Sequence, residues 1–334
     1  MILAGDIGGT KTVLALTEQQ ADGSLTTLQE HTFASGEFQT FDEILDLFLD
    51  GSPSVCSACF GVAGPVIRQR CQTTNLPWLL DGGQLKTRLG TERVRLLNDL
   101  EAMAVGMLHL QPHDFIELNP GAQAQTGNIA VIAAGTGLGE AILHWDGQTH
   151  SPIATEGGHS DFAAQNAQQD RLVAYLRQCY PEHVSWERIL SGPGFSHLYD
   201  FLKETGFAPA CPAVPPADES PGLDRNALIS RLGIDGEDPL CREAVRLFAE
   251  LYGAEAGNLA LKAFATGGVF IGGGIGPKIR PMLESGGFLQ AFTAKGRFRP
   301  FLSGISVKLA LNPRTPLLGA MHYFASQCEP LCDG

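Results

Sequence analysis

The segment Gly5–Thr10, with the sequence GDIGGT, places one carboxylate and two turn glycines between two apolar runs. Ile2–Ala4 precedes the segment and Thr12–Leu16 follows it, which predicts a strand, a turn and a second strand. Glycines in this turn allow a positive φ and leave backbone N–H groups open to phosphate oxygens, while the carboxylate can hold a water molecule or the metal that accompanies a nucleotide. We therefore predict a phosphate-binding turn made of Gly5, Asp6, Ile7, Gly8, Gly9 and Thr10.

Two further glycine segments follow apolar, strand-like runs. The first comes after Ile129–Ala134 and can offer a hydroxyl and N–H donors to phosphate oxygens. The second comes after Val269–Ile271 and would let the base and ribose of a nucleotide approach the backbone closely. Ordinary turns use the same residues, so neither segment alone identifies a nucleotide site. The candidate residues are Gly135, Thr136, Gly137, Gly272, Gly273 and Gly274.

Asp99 follows the predicted strand Arg93–Leu97, at the strand end where catalytic groups gather in α/β proteins. Transfer of a phosphoryl group to a hydroxyl needs a base, and this carboxylate is the best candidate for it. The alternative is a structural role, because Asn98 and Asp99 are both suited to cap the predicted helix Leu100–Leu108.

The segment Glu156–His159, EGGH, holds a carboxylate and an imidazole next to two glycines. Such a pair can bind neighbouring hydroxyls of a sugar. A structural histidine and a zinc site are the alternatives, although Ser160–Phe162 offers no cysteine ligand. Glu187 is predicted in the first turn of a short helix, where the helix dipole favours a carboxylate in any case. We assign no residue as a direct metal ligand.

The elements that would position these residues alternate strands with helices, which predicts an α/β fold. The patterns predict strands near 2–6, 11–17, 25–34, 54–62 and 93–97, and helices near 40–50, 166–180, 194–205, 239–265 and 315–326. Strand, glycine turn and strand recur from Asn128, and such a duplication is expected of two related lobes that face one nucleotide. The five prolines of Phe207–Gly222 predict a surface loop or a disordered insert without catalytic residues.

A chain of 334 residues exceeds the roughly 250–300 residues at which single cores stop growing, so two domains are expected. The net charge of −13 and the scattered lysines and arginines argue against a nucleic-acid partner. The apolar runs have strand length, well below the roughly 18 residues of a membrane span, and the first residues lack the pattern of a secretory signal. We therefore expect a soluble, cytoplasmic protein that does not bind membranes.

The eight cysteines are expected to be reduced thiols in such a protein. Cys56 and Cys59 form a C-x-x-C pair, but they alternate along the strand-like run Val55–Phe60 without a second ligand pair nearby. We interpret them as core thiols rather than as zinc ligands.

Six segments, in this order and spacing, resemble the bacterial glucokinase family: GDIGGT at 5–10, LLNDLEA at 96–102, AAGTGLGEA at 133–141, EGGHSDFA at 156–163, VSWERILSGPG at 184–194 and GGVFIGGGI at 267–275. The resemblance runs from Ile2 to about Ala325. The combination of NDL, EGGH and ERILSGPG is much more specific than any one of these motifs.

The resemblance implies the two-lobed, ribonuclease H-like fold shared by sugar kinases, hsp70 and actin. A small α/β domain would comprise residues 1–109 and 300–334, a large α/β domain would comprise residues 110–299, and a cleft would separate them. The resemblance also implies a homodimer that transfers the γ-phosphate of ATP to the 6-hydroxyl of glucose with Mg²⁺ and so feeds glycolysis.

Carried over residue by residue, the resemblance assigns the catalytic base to Asp99. It assigns the glucose contacts to Asn98, Asp99, Glu156, His159 and Glu187. It assigns the nucleotide side to Asp6, Gly8, Gly9, Thr10, Thr136, Gly137, Gly272, Gly273 and Gly274.

Some residues depart from the family pattern. Lys11 after GDIGGT is typical of the related repressor/ORF/kinase family, whereas many glucokinases carry Asn or another residue there. That related family usually has a zinc-binding cysteine cluster after its EGGH-like segment, where this chain has Ser160–Ala163. Its repressor members also carry an N-terminal helix-turn-helix, which we do not find in this sequence.

Two other hypotheses stay open at this point. A kinase for another hexose or amino sugar, such as fructose, mannose or N-acetylmannosamine, would share this fold, because the hydroxyl preference of the pocket selects the sugar. A non-catalytic sugar sensor would bind glucose and a protein partner, but it would usually have lost the base, and Asp99 is present.

Overall fold

The structure, a computed structural model, describes residues 1–74, 76–123, 125–216 and 223–325. Contacts divide the chain into two compact units. Unit 1 consists of Met1–Asp114, Ser151–Ala154 and the described residues from Asn312 onward, and unit 2 consists of Phe115–His150 and Thr155–Leu311. The sequence-based boundary at residue 300 lies inside unit 2, because the strand Val307–Ala310 pairs with the sheet of that unit.

The described residues form thirteen strands and twelve α-helices. The strands are β1 (Ile2–Ile7), β2 (Lys11–Gln19), β3 (Leu25–Ala34), β4 (Ser57–Val62), β5 (Arg70–Gln72), β6 (Leu79–Asp81), β7 (Val94–Asn98), β8 (Phe115–Glu117), β9 (Ile129–Ala134), β10 (Leu138–Trp145), β11 (His150–Ala154), β12 (Gly268–Gly272) and β13 (Val307–Ala310). The helices are α1 (Phe41–Leu49), α2 (Gly82–Leu89), α3 (Asp99–Met107), α4 (Ala167–Cys179), α5 (Gly192–Glu204), α6 (Arg225–Asp235), α7 (Pro239–Ala263), α8 (Ile275–Lys278), α9 (Arg280–Leu283), α10 (Gly287–Thr293), α11 (Arg299–Ser303) and α12 (Thr315–Ala325).

The first sheet has the strand order β3-β2-β1-β4-β7. Strand β1 is antiparallel to β2 and parallel to β4, which is parallel to β7. The C-terminal ends of β1, β4 and β7 therefore meet at one edge of the sheet. The predicted phosphate turn follows β1 at this edge, and α3 follows β7.

The six-stranded sheet has the order β11-β10-β9-β12-β13-β8. Strand β9 is antiparallel to β10 and parallel to β12, which is parallel to β13. The series β10-β9-β12-β13 thus repeats the arrangement of β2-β1-β4-β7, and this confirms the predicted internal duplication.

The sheet of unit 1 is buried on both faces because successive side chains of a strand point to opposite sides. Leu3 packs with Phe41 and Ile44 of α1, while Ala4 packs with Ala102 of α3 and Met321 of α12. All six residues are at most 5 % exposed. Each of the larger side chains contributes about 1.5–3 kcal/mol by its burial.

Helix α7 is the central helix of unit 2. It begins where the Asp238 side chain accepts a hydrogen bond from Cys241 N at 2.8 Å, with Pro239 in the first turn. Seventeen of its 25 residues are buried, so it is apolar on nearly all sides and packs against α5, α6 and α10. The predicted helix near 239–265 is confirmed.

The other strands and helices that the sequence patterns predicted are found, with ends that differ by a few residues. The elements that were not predicted are the helices α2, α6, α9, α10 and α11 and the strands β5, β6, β8, β11 and β13. The proline-rich segment is a loop in its described part, Phe207–Pro216, and the buried side chains of Cys211 and Val214 anchor it. Its remaining residues lie outside the described part of the chain.

The described cysteines are all free thiols, and Cys59 is fully buried while Cys56 is half-buried. The interpretation of Cys59 as a core thiol is therefore confirmed. Among the described helices, none is long and apolar enough to cross a membrane.

Helices α3 and α12 of unit 1 approach each other at two glycines. A Cβ atom on Gly319 would lie 1.7 Å from the carbonyl oxygen of Ala102, and one on Gly106 would lie 1.9 Å from the carbonyl oxygen of Thr315. These helices can therefore pack at this distance only without side chains at the two positions.

We predict that Gly319→Ala lowers the free energy of unfolding by roughly 1–3 kcal/mol, because the added methyl group forces the two helices apart. Calorimetry should show a lower Tm for this variant. Gly36→Ala is the control, since a Cβ atom there meets open space. Equal Tm values for the two variants would contradict the close packing of α3 and α12.

Candidate active site

The turn Gly8–Thr10 joins β1 to β2 in unit 1. Gly8 N donates to Lys11 O at 3.0 Å, and Ser35 Oγ donates to Gly8 O at 2.8 Å. Neither Gly8 nor Gly9 has a positive φ, so the freedom that glycine allows in this turn is not used. A Cβ atom at position 8 would lie 3.0 Å from Lys11 O, so a larger residue there would require a small shift of that backbone.

Three of the residues predicted for this turn, Gly5, Asp6 and Ile7, lie inside β1. Ile7 is buried in the core of unit 1. A Cβ atom on Gly5 would lie 2.7 Å from the ring of Phe60 and 2.8 Å from the side chain of Leu14. Gly5 and Ile7 can therefore contact a ligand only through their backbone.

Asp6, the next-to-last residue of β1, and Asp99, the first residue of α3, form a pair of carboxylates. The pKa of Asp6 is raised to about 6, first by burial and second by the charge of Asp99, while Lys11 opposes the rise. A cation beside such a pair would remove the repulsion between the carboxylates. Carboxylate oxygens are ligands that Mg²⁺ prefers, so this end of the sheet suits the metal that accompanies ATP.

The capping role at the start of α3 belongs to Asn98. Its Oδ1 accepts from Glu101 N at 2.6 Å, and Glu101 Oε2 accepts from Asn98 N at 2.9 Å, which completes a capping box. Asp99 Oδ1 accepts from the adjacent Leu100 N at 2.9 Å, and this bond is not part of the capping box. The capping alternative therefore holds for Asn98, and helix formation does not require the carboxylate of Asp99.

In unit 2, the structure brings two predicted glycine segments side by side. Gly135 N donates to Gly137 O at 2.8 Å, and Gly135 O accepts from Gly192 N at the start of α5, also at 2.8 Å. Gly273 has φ +80°, and a Cβ atom on it would lie 2.4 Å from the carbonyl oxygen of Ala134. This backbone contact joins the turn after β12 to the loop after β9.

Glu187 connects this glycine loop to the EGGH segment. Its Oε2 accepts from Leu138 N at 2.9 Å and would lie 2.4 Å from a Cβ atom on Gly137. Its Oε1 lies 3.9 Å from Nδ1 of His159. Glu187 belongs to a 3-10 helix, Trp186–Arg188, in agreement with the predicted short helical turn.

The EGGH segment forms a 3-10 turn that packs tightly against β10. A Cβ atom on Gly158 would lie 2.0 Å from Leu138 O, and one on Gly157 would lie 2.0 Å from Oε2 of Glu140. Glu156 and His159 are exposed at the two ends of this turn. The two glycines thus let the turn lie directly on the strand while its polar side chains face solvent.

A pocket of about 780 Å³ opens beside these loops within unit 2. Its lining includes the predicted residues Gly135, Thr136 and Gly274. Its volume lies in the range of roughly 300–1,000 Å³ that is common for ligand pockets.

Another wall of this pocket is formed by α6, a helix that was not predicted from the sequence. This helix contributes Asn226, Ala227, Ser230 and Arg231 to the lining. The capping Asp224 before Ala227 was the sequence signal for this helix.

The described residues also contain one group of potential metal ligands away from these loops, formed by Cys211, Asp238 and Cys241. Asp238 already caps α7, and burial raises the pKa of the Cys241 thiol. Both observations describe a packed helix start in which the Cys241 thiol stays protonated.

The repeated sheet arrangement, with a glycine turn after the first strand of each repeat, defines an α/β protein of the sugar-kinase class. The Glucokinase family model matches residues 3–327. The chain is 39 % identical to a glucokinase of Nostoc punctiforme over 96 % of this chain and 97 % of that one. The chain belongs to the glucokinase family.

Solved structures agree with this fold. A glucokinase from an Antarctic psychrotroph has a TM-score of 0.84 and 32 % identity, with 96 % of this chain and 98 % of that chain covered. A ROK family glucokinase from Streptomyces griseus, solved with glucose and AMPPNP, has a TM-score of 0.62 at 22 % identity, with 98 % and 99 % covered. The second likeness concerns the fold alone.

We predict that Asp6→Asn makes the protein more stable than the wild type at pH 8. The folded pKa of about 6 exceeds the ordinary 3.8, so the stabilising contribution of the protonated group is complete below pH 3.8 and is lost as the pH rises through 6. Asparagine keeps the neutral form, and the gain should be on the order of 1–3 kcal/mol at pH 8 and vanish near pH 4. Thermal unfolding across this pH range measures the difference.

Asp22→Asn is the control for this experiment. Asp22 is exposed, and hydrogen bonds from Ser24 lower the pKa of its carboxyl. No gain at pH 8 is expected for the control. If Asp6→Asn behaves like Asp22→Asn, the buried carboxylate pair is contradicted.

Proposed function

We propose that this protein transfers the γ-phosphoryl group of ATP to the 6-hydroxyl of glucose and that Asp99 is the general base. The observation that carries the assignment of the base is the capping box of Asn98 and Glu101, which leaves the Asp99 carboxylate unnecessary for helix formation at the edge of the sheet. Membership of the glucokinase family supports the reaction, and the Streptomyces griseus complex with glucose and AMPPNP supports the two ligands.

The proposed reaction moves one proton and one phosphoryl group. The carboxylate of Asp99 accepts the proton of the 6-hydroxyl while that oxygen attacks the γ-phosphorus. The bond between the γ-phosphorus and the bridging oxygen breaks, and ADP leaves. Backbone N–H groups of the glycine turns stabilise the charge on the phosphate oxygens.

We propose that glucose is held by Asn98, Asp99, Glu156, His159 and Glu187. In unit 2, the placement of Glu187 beside His159 supports this proposal, because a carboxylate and an imidazole on neighbouring segments can bind adjacent sugar hydroxyls. The nucleotide would bind the glycine turns and the pocket lined by α6.

A Mg²⁺ ion that accompanies ATP would be held by Asp6, directly or through water, because the carboxylate pair of Asp6 and Asp99 favours a cation. When bound, it would neutralise charge on the phosphate oxygens. A cytoplasmic location, a role in glycolysis and a homodimer are further parts of the proposal, which rest on the family resemblance.

We predict that Asp99→Asn lowers the rate of glucose phosphorylation by ~10² or more and keeps glucose binding within about tenfold, because it removes the base and keeps the shape of the side chain. A coupled assay for glucose 6-phosphate and calorimetric titration with glucose measure the two effects. Asp42→Asn, which changes an exposed carboxylate in the first turn of α1, is the control and should keep the wild-type rate.

The outcomes separate the competing hypotheses. An unchanged rate in Asp99→Asn would remove Asp99 from the role of base. Efficient use of mannose or fructose but not glucose by the wild type would keep the kinase and change its substrate. Glucose binding without any phosphorylation, with every sugar and donor, would favour a sugar sensor.

We predict that Ala227→Phe raises the KM for ATP at least tenfold and leaves the Kd for glucose within about twofold, since a phenyl ring fills the pocket beside α6. Ala167→Phe is the matched control, because Ala167 is likewise an exposed alanine in the first turn of a helix but lies outside this pocket. Equal KM values for ATP in the two variants would show that the nucleotide does not use this pocket.

A further inference from the structure

Beneath the EGGH turn lies a buried pair of carboxyl groups that the proposed reaction does not use. Glu140 on β10 is 1 % exposed and Glu255 on α7 is fully buried. The two carboxyl groups lie within hydrogen-bond reach of each other, and the charge of Glu255 helps to raise the pKa of Glu140. Because an ionised carboxylate can only accept hydrogen bonds, this contact requires one proton between the two groups.

The surroundings decide which group carries that proton. Glu255 accepts hydrogen bonds from Asn258 Nδ2 at 2.7 Å and from Lys262 Nζ at 3.4 Å, so its negative charge is supported. Oε1 of Glu140 is buried and receives no hydrogen bond from the described residues. Glu140 is therefore the protonated member, and Glu255 is the carboxylate.

The carboxyl of Glu140 also touches the EGGH turn. Its Oε2 would lie 2.0 Å from a Cβ atom on Gly157, so the backbone of the turn rests on the carboxyl. Thr155 Oγ1 donates to Glu140 O at 2.8 Å and accepts from Gly157 N at 3.2 Å, which holds the start of the turn to the same residue. A change at this carboxyl must therefore move the segment that carries Glu156 and His159.

We propose that Glu140 is a positioning residue whose carboxyl, by sharing one proton with Glu255, holds the EGGH turn in the geometry that binds sugar, so that sugar affinity depends on this proton. The proposal rests on the assignment of glucose contacts to Glu156 and His159. It adds a pH-sensitive support beneath a turn whose sugar-contacting side chains, Glu156 and His159, are exposed.

The pKa of Glu140 is raised to about 8, first by burial and then by the charge of Glu255, while Lys262 opposes the rise. Other titratable groups interact with the pair, namely Tyr252 on α7 and Lys295 after α10, whereas Glu156 and His159 on the turn above it are exposed. Burial raises the pKa of Tyr252 and lowers that of Lys295. Loss of the shared proton would leave two carboxylates in contact under the turn.

The test compares the Kd for glucose of the wild type and Glu140→Gln between pH 6 and pH 9.5, by calorimetric titration. Glutamine keeps the shape and can donate to Glu255, but it does not titrate. In the wild type, we expect the Kd to rise above pH 8 by up to tenfold per pH unit, as the loss of one required proton dictates. In Glu140→Gln, we expect the Kd to stay within about twofold over the same range.

Two further variants make the test specific. Glu250→Gln changes another carboxylate of α7, which pairs with Arg246, and should keep the wild-type pH profile. Glu255→Gln removes the neighbouring charge, so the rise in Kd should begin at a lower pH than in the wild type. If Glu140→Gln fails to fold, this shift tests the same proton.

A measurement without sugar addresses the same group. The folded pKa of about 8 exceeds the ordinary 4.5, so stability from the protonated Glu140 is complete below pH 4.5 and is lost as the pH rises through 8. The Tm of the wild type should therefore fall relative to Glu140→Gln over this range, and a constant difference would refute the shared proton.

The experiments distinguish a failure of the proposed function from a failure of this inference alone. A wild type that neither binds nor phosphorylates glucose at pH 7 would overturn the proposed function together with this inference. A wild type that phosphorylates glucose, but shares its pH profile for glucose Kd with Glu140→Gln, would overturn this inference alone.

Discussion

The carboxylate of Glu187 holds together the functional segments of unit 2. One oxygen accepts the N–H of Leu138 at the end of the glycine loop, and the other lies next to the imidazole of His159. Gly137 must lack a side chain for this approach, because a Cβ atom would overlap the carboxylate. The contacts of this one carboxylate therefore set the distance between a loop suited to phosphate and a turn suited to sugar. A hydrogen bond to a carboxylate is strong, so it restricts changes in that distance.

Unit 1 solves a different problem at its strand ends, which is to keep carboxylates available without losing the helix that follows. Asn98 and Glu101 form the capping box at the start of α3, so the cap of this helix does not depend on the carboxylate of Asp99. The cost appears at Asp6, whose pKa is raised first by burial and second by the charge of Asp99 at the same sheet edge. Such an arrangement lowers stability and prepares a place for a cation.

Much of this structure could be predicted from the sequence, because the responsible signals are local. Strands such as Ile129–Ala134 are continuous apolar runs, and the repeat of strand, glycine turn and strand predicted the duplicated sheets. The conformation of Gly8 and Gly9 could not be predicted, since glycine permits either sign of φ and the hydrogen bond from Gly8 N to Lys11 O becomes visible only in the folded turn.

The features that could not be predicted depend on contacts between residues that are far apart in the sequence. The pocket wall formed by α6 depends on the packing of that helix near Gly135 and Gly274, which come from segments about 90 and 50 residues away in the chain. Glu140 and Glu255 are separated by more than a hundred residues, and in the sequence each looks like an ordinary polar residue of its strand or helix. Only their shared burial shows that they form a pair.

The same close contacts limit how this site can change. Each of Gly137, Gly157, Gly158 and Gly273 would place a Cβ atom within 2.0–2.4 Å of another atom, so these turns cannot shift without moving the strands beneath them. The backbone of the sugar-side and phosphate-side segments is therefore fixed by packing rather than by the ligand. Differences in sugar preference within this fold must then arise from exposed side chains such as Glu156 and His159, or from supports such as Glu140 that tilt a whole turn. A substitution in a supporting residue such as Glu140 can alter the affinity for sugar although the residue does not touch the sugar. A comparison limited to the residues that contact the sugar would therefore miss the effect of such a substitution.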